Sequence, residues 1–518
     1  MKTVKLFLLY AVMCILFLSG CHKTQKPEEA FEDKGEKKFR ELMSKLDAYM
    51  LQTNISATVE LLSSSLNDPD LSAQRGWLFV MLLDVYMRNN DYGKAEQLYF
   101  DSAADSELIR AGFDAFINYF AGLSNNTIVV EWTDKVLQLD VLPDIKERAF
   151  KLKTSAIRET AGVNGVIPLV KECFDRFDDQ TSARILDEML AYFIGKDKVE
   201  DTGLLLNEIR KQDRKSNSIV SLLIKYSARI DVRKGDWKSL GQNMDKAVVE
   251  MPDNEMANLI AEIITTMRNK KEFDQADRLA ARILEKDLSA KPSAHRQLVY
   301  QWLEIARDKN EADEVLNRIE KLFVKNTDPS FILSLLDRHF YWLAQNGDNA
   351  KKIMLDAEKL MPQLKDERDK ASLKAMILDA SFMCEDYEKS LEIIGEGIPE
   401  RTPEWHEMAI NKIKAHIALR DGKEEEAVER FRAFMKSVEK WERPESDPAT
   451  GMLYTKEITL GKNARRIGDI WKSRGEDKRA KEAYLEARRY FEIALQDSQL
   501  GSIEKEMVEK EIKSLPQK

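Results

Sequence analysis

Residues 405–416 read WHEMAINKIKAH, and this is where metal chemistry would start. His406-Glu407 opens like the His-Glu-x-x-His of zinc proteases, in which two histidines four apart on one helix face hold the ion and the glutamate serves as base. The position that needs the second histidine is Ile410. His416 comes ten residues after His406, about 80° round a helix and about 15 Å along it, too far to share an ion. His22, His295 and His339 have no visible partners in the sequence. Carboxylates are abundant, 90 Asp and Glu together, but runs such as Asp178-Asp179 and Glu424-Glu425-Glu426 fall where turns or helix starts are expected and read as solvated faces. There is no Gly-x4-Gly-Lys-Ser/Thr phosphate loop and no Gly-x-Ser-x-Gly nucleophile elbow. Gly395-Glu396-Gly397 lacks the third glycine and the preceding strand of a dinucleotide site. The chemistry-bearing residues therefore predict no catalytic site, no metal and no cofactor.

Cysteine carries one stronger signal. Met1 to Lys5 holds two lysines, and Leu6 to Leu18 is an unbroken apolar run. As a helix the run would rise about 20 Å, short of the roughly 30 Å hydrocarbon core, so it reads as a secretory signal rather than a transmembrane helix. It ends at Leu18-Ser19-Gly20-Cys21. Those four residues resemble the lipobox of bacterial lipoproteins. The resemblance implies that residues 1–20 are a signal peptide and that Cys21 is acylated and becomes the first residue of the mature chain. Two or three acyl chains would hold it firmly on a bilayer. His22, in place of Asp, implies the outer membrane rather than retention at the inner one. Of the other cysteines, Cys14 lies in the signal, and Cys173 and Cys384 read as two separate buried small hydrophobes.

The chain has 518 residues, 43% hydrophobic and 33% charged, so a core is available beneath a densely charged surface. Without Lys2 and Lys5 the formal charge goes from −9 to −11, which offers nothing to nucleic acid. Residues 21–37 read as the acylated cysteine and a solvated tether. From residue 38 the apolar residues recur at three and four, as in Phe39, Leu42, Met43, Leu46 and Met50, and alternating strand patterns are missing. The breaks are short and rich in Gly, Asp and Asn, which makes neighbouring helices antiparallel.

The breaks recur in similar surroundings. In IGDIWKSRGEDKRAKEAYLEARRYF the spacing runs Gly468, Trp471, Gly475, Ala480, Tyr484, Ala487. Small Gly468 and Ala480 allow close helix approach, Trp471 and Tyr484 fill the space between helices, and Gly475 can take the left-handed conformation that ends the first helix. The pattern returns at Leu83, Tyr86, Asn90, Ala95, Tyr99 and Ser102. It returns again at Ala228, Gly235, Trp237, Met244 and Ala247; at Ile264, Met267, Phe273, Ala276 and Ala280; and at Ala415, Ala418, Gly422, Ala427 and Phe431. Residues 140–213 show no clean copy. This spacing resembles the tetratricopeptide repeat. The resemblance implies an all-α solenoid of ten to twelve helical hairpins, spanning residues 38–440 and resuming in 462–518. Residues 441–461, with Pro444, Pro448 and two glycines, read as a long loop or hinge. The eight tryptophans are spread along the chain and are expected in the core; the alternative is an aromatic platform for sugars or peptides.

Together these readings predict a lipid-anchored scaffold or adaptor in the bacterial cell envelope, facing the periplasm, with protein partners in an envelope, secretion or export complex. An outer-membrane glycan- or nutrient-binding lipoprotein is the alternative, and a cell-wall enzyme fronted by a helical superhelix a weaker one. The anchor is testable by itself. Cys21→Ala should move the protein from the membrane to the soluble fraction without lowering its melting temperature; a variant that still sediments with membranes in high salt would exclude the anchor.

Overall fold

The computed structural model describes residues 34–122, 125–324, 328–398, 402–440, 456–497 and 500–516. Cys21, residues 1–20 and most of the expected tether lie outside these residues. The described chain is all helix, without a strand, and divides into two compact units, one ending at Asp236 and the other starting at Trp237.

The first unit holds α1 (Lys34–Leu51), α2 (Ile55–Leu66), a 3-10 turn (Pro69–Gln74), α3 (Arg75–Arg88), α4 (Tyr92–Asp101), α5 (Ser106–Gly122), α6 (Asn126–Gln138), α7 (Pro143–Arg176), α8 (Asp179–Gly195), α9 (Val199–Lys211) and α10 (Asn217–Lys234). The second holds α11 (Trp237–Glu250), α12 (Asp253–Asn269), α13 (Phe273–Leu284), α14 (Pro292–Asp308), α15 (Ala312–Val324), α16 (Pro329–Leu343), α17 (Gly347–Leu360), α18 (Glu367–Met383), α19 (Tyr387–Gly395), α20 (Pro403–Arg420), α21 (Glu424–Lys440), α22 (Lys456–Ser473), α23 (Asp477–Leu495) and α24 (Ser502–Ser514). Within each unit helices pack mainly on near neighbours in sequence, as in a solenoid.

Local signals set the helix ends. Side chains of Asn54, Asn125, Asp178, Asp328, Asp366 and Thr402 accept hydrogen bonds from first-turn amides. Pro143, Pro292, Pro329 and Pro403 sit at helix starts, where a missing N–H costs nothing. First helices end in one recurring turn. The second residue after the helix has positive φ at Thr53, Asn90, Asp197, Lys271, Asn310, Glu385, Gly422 and Gly475. Its N–H bonds back three residues and the next N–H back five, as in Gly475 to Lys472 and Glu476 to Trp471. Five residues after each left-handed position the side chain is buried: Thr58, Ala95, Thr202, Ala276, Val315, Ser390, Ala427 and Ala480. Nine residues after it the side chain is buried again: Leu62, Tyr99, Leu206, Ala280, Ile319, Ile394, Phe431 and Tyr484. The turn thus starts a clock that the second helix keeps.

α7 hides another hairpin. Gly162 has φ 59° and ψ −148°, a conformation open to glycine, and breaks the element into arms 143–161 and 163–176. Lys153 Nζ lies 2.8 Å from Glu172, whereas residues 19 apart in one straight helix are about 28 Å apart. The same ammonium meets Asp134 of α6 at 2.7 Å. Residues 140–213, where the sequence gives no clean copy, therefore contain this hairpin and the α8–α9 pair.

Three boundaries differ from the sequence reading. α1 starts at Lys34, inside the expected tether. The expected 38–440 solenoid is divided at residue 236. The expected loop 441–461 ends early, because α22 begins at Lys456; residues 441–455 lie outside the described ones. Gly461 reads as a loop signal but serves packing: a Cβ there would lie 2.6 Å from the Phe491 ring. Seven residues on, a Cβ at Gly468 would lie 2.6 Å from Tyr484. Two bare glycines thus bring α22 and α23 together.

These glycines give a paired test. Gly468→Ala should destabilise by about 1–3 kcal/mol through overpacking. Gly203→Ala, in the interior of α9 with open space around it, should stabilise by about 0.5–1 kcal/mol. Calorimetric melts of the two variants should shift in opposite directions; a shift in the same direction would disprove the α22–α23 approach.

Candidate interaction surface

The repeat residues divide into those that pack and those that turn. Leu83, Ala95, Tyr99, Ala247, Ala276, Ala427, Ala480, Tyr484 and Ala487 are buried. Gly235, Gly422 and Gly475 carry φ of 71°, 71° and 74°. Tyr86 and Trp237 are half-buried. Trp471 is half-buried: it packs against the core of the second unit, with the guanidiniums of Arg474 and Arg479 at 5.2 and 4.7 Å from its ring. Among the described residues Trp132 and Trp405 are the fully buried tryptophans, and neither belongs to a quoted copy. Trp132 packs among Tyr99, Phe113, Phe116 and Phe120. Cys173 is buried, Cys384 half-buried, and both are free thiols.

His406 caps rather than coordinates. Its Nδ1 lies 2.8 Å from the Thr402 carbonyl, and its Nε2 accepts from the Ile398 amide at 3.3 Å. His416 looks elsewhere: its ring stacks on Tyr387 and its Nε2 accepts from Arg466 Nη1 at 3.0 Å. Among the described residues no group of three or more His, Cys, Asp or Glu is placed to hold a metal, and no helix is long and apolar enough to cross a membrane.

What the stack displays is charge on its first helices. In the first unit several first-helix cations meet a carboxylate one hairpin away. Arg148 of α7 pairs with Asp114 of α5, Arg184 of α8 with Glu147 of α7 at 2.9 Å, Lys151 of α7 with Glu188 of α8 at 2.5 Å, and Lys225 of α10 with Asp187 of α8 at 2.7 Å. In the second unit Arg268 of α12 meets Asp308 and Glu304 of α14 at 2.7 and 3.3 Å, and Arg338 of α16 meets Glu304 at 3.2 Å. Ser330 of α16 donates to Asp369 of α18 at 2.5 Å. Between α16, α18 and α20 a cavity of about 150 Å³ opens, with Tyr341, Ser372, Ala375 and Asp379 in its wall. A wider cleft of about 670 Å³ lies over His406, Glu407, Ile410, Asn411 and Arg430.

Sequence reasoning missed the Glu304 group. The signal was a charge recurring about one repeat apart, Arg268, Glu304 and Arg338, which a strong hydrophobic period overshadows. Beneath it lies His339, 1% exposed, with no hydrogen-bond partner at either ring nitrogen and Glu304 at 3.9 Å. Burial pushes the His339 imidazole down to about 4; Arg307 and Arg338 push the same way and Glu304 opposes. Burial, with Arg466 and Lys412 beside it, holds His416 down at about 3.

No protein-family model matches the chain, and no curated protein does. Solved structures give distant likenesses. A chain of the Naa15/Naa10 complex bound to HypK-THB aligns at 11% identity and TM-score 0.29, over 92% of this chain and 78% of the other. A chain of the APC/C hetero-tetramer Cut9-Hcn1 aligns at 10% and 0.24, over 91% and 89%. Superpositions this poor carry no argument; the solenoid rests on the packing described above.

The buried histidines set a pH dependence. A neutral imidazole held below its usual 6.5 leaves stability complete above pH 6.5, and stability is lost as pH falls towards 4, because the unfolded chain takes the proton first. Melting temperature should therefore fall between pH 7 and pH 4.5. His339→Leu should flatten that fall; an unaltered slope would mean that His339 is not buried as a neutral ring.

Proposed function

We propose that this protein is a membrane-anchored scaffold of the bacterial cell envelope. The acylated Cys21 would hold it at the outer membrane facing the periplasm. The face made by the first helices of its hairpins would bind protein partners of an envelope, secretion or export assembly. The observation that supports the binding reading is the repeated build of the stack. Within each unit the same turn and a small or compact buried residue recur from hairpin to hairpin, while the first-helix residues vary: paired charges in the first unit, the Glu304 group and the open cavity beside Tyr341 in the second. Repeat stacks use such faces to bind extended segments or whole subunits. The lipobox resemblance supports the localisation.

Site-specific photocrosslinking in living cells tests this. A crosslinking residue at Tyr341, 52% exposed on first helix α16, should give a discrete, reproducible protein adduct. One at Leu355, 45% exposed on second helix α17, should not. Adducts absent from Tyr341, or equal at both sites, would refute a first-helix binding face.

A further inference from the structure

The Glu304 group differs from the paired charges of the first unit in gathering more guanidiniums than carboxylates. Glu304 is 9% exposed and takes three guanidiniums: Arg268 at 3.3 Å, Arg338 at 3.2 Å and Arg307 at 3.6 Å. Arg268 has a second carboxylate, Asp308, and a side-chain amide, Gln301, at 3.1 Å. Arg307 and Arg338 have no other carboxylate within ion-pair distance among the described residues. Both are solvent-accessible, with side chains 43% and 57% exposed. Three guanidiniums thus share two carboxylates, in a chain whose formal charge is −9.

Of the two outer arginines, Arg338 is held in place. Arg338 contacts Glu304 through Nε alone, and its guanidinium lies 5.5 Å from the centre of the Tyr300 ring. The Tyr300 hydroxyl is 3.2 Å from the Ser334 hydroxyl, one turn before Arg338 on α16. Arg307 sits three residues after Glu304 on α14 and shares its oxygen with Arg338. A guanidinium offers five N–H donors in a fixed plane and suits a carboxylate fork to fork. A nearly buried anion beneath two such groups draws both towards it without neutralising both.

We infer that Arg307 and Arg338, set side by side on Glu304, receive the carboxylate of an acidic side chain from the protein partner. This rests on the scaffold reading and names its partner chemistry: an acidic segment lying across first helices α14 and α16. The gain over an ordinary surface pair comes from orientation, since Arg338 is already ordered by Glu304 and the Tyr300 ring before the partner arrives.

Fluorescence anisotropy of the full-length protein in detergent, with a labelled (Glu-Ala)4 peptide at physiological ionic strength, is the direct test. The acidic peptide should bind saturably and a (Lys-Ala)4 peptide should not. Arg307→Gln with Arg338→Gln should weaken binding about tenfold or more. Arg307→Lys with Arg338→Lys should recover part of the loss, which separates recognition from misfolding. Arg489→Gln, exposed on α23, should leave binding unchanged. Absence of saturable binding, or wild-type affinity in the double glutamine variant, would overturn the inference. So would displacement by inorganic phosphate as effective as that by unlabelled peptide, which would make this a site for any small anion. If the peptide fails while adducts still form at Tyr341, this inference falls and the scaffold reading stands. If adducts fail as well, both fall.

Discussion

Two antiparallel helices can share a core only as closely as the side chains just beyond their turn allow, and the hairpins here depend on that approach. A left-handed residue closes the first helix, and five residues later a small or compact side chain lies against it. Where the approach is tightest the side chain disappears altogether: Gly461 faces Phe491 and Gly468 faces Tyr484. A large residue at such a position would push the pair apart, and a displaced pair would misplace its other neighbour. One steric limit therefore propagates along the stack, and it explains why the second helix of so many hairpins keeps the same count from its turn.

Charge works on a different link of the chain. Core packing joins helix to helix but tolerates small slides, because apolar contact is not directional. Pairs such as Arg184 with Glu147 and Lys225 with Asp187 join residues about one repeat apart and select one register over its neighbours. Individually such partly exposed pairs contribute little stability. Lys153 is different, being 7% exposed and tied to both Asp134 and Glu172; stranding its charge would be costly. The same asymmetry makes Glu304 informative. A carboxylate so nearly buried needs one or two cations, and the third faces outward with no charge to neutralise it.

The helical class was legible because the three-and-four apolar period is strong, and the turns were legible where glycine or asparagine held the left-handed position, as at Gly475, Gly422 and Asn90. It was less legible at Lys271, Glu385 and Thr53, which take positive φ without any compositional cue. In those hairpins the burial of the residue five positions on reveals the register, and burial is not written in a single sequence. Gly162 and Gly461 show the opposite failure. Both are glycines, but one makes a hairpin inside what reads as helix, and the other makes a helix contact inside what reads as loop. The Glu304 group stayed hidden because its members lie on three helices and no local pattern links them.

The connection between α21 and α22 shows what a nearest-neighbour design permits. Elsewhere hydrogen bonds between successive hairpins join residues about one repeat apart, such as Arg420 with Glu388, 32 apart. Across this connection the separations rise: Arg466 with His416, 50 apart; Arg474 with Glu425, 49; Arg432 with Glu486, 54. The excess matches the extra residues 441–455, so α22 and α23 dock on α20 and α21 as the next hairpin would without them. In a globular core, added chain has to find room among many partners. Here each hairpin answers only to the one before and the one after. Sequence added between hairpins leaves the packing rule intact, and the first-helix face can change residue by residue without a cost in the core. That freedom is what a scaffold requires: an invariant turn-and-packing rule inside, and a face outside that differs from one hairpin to the next.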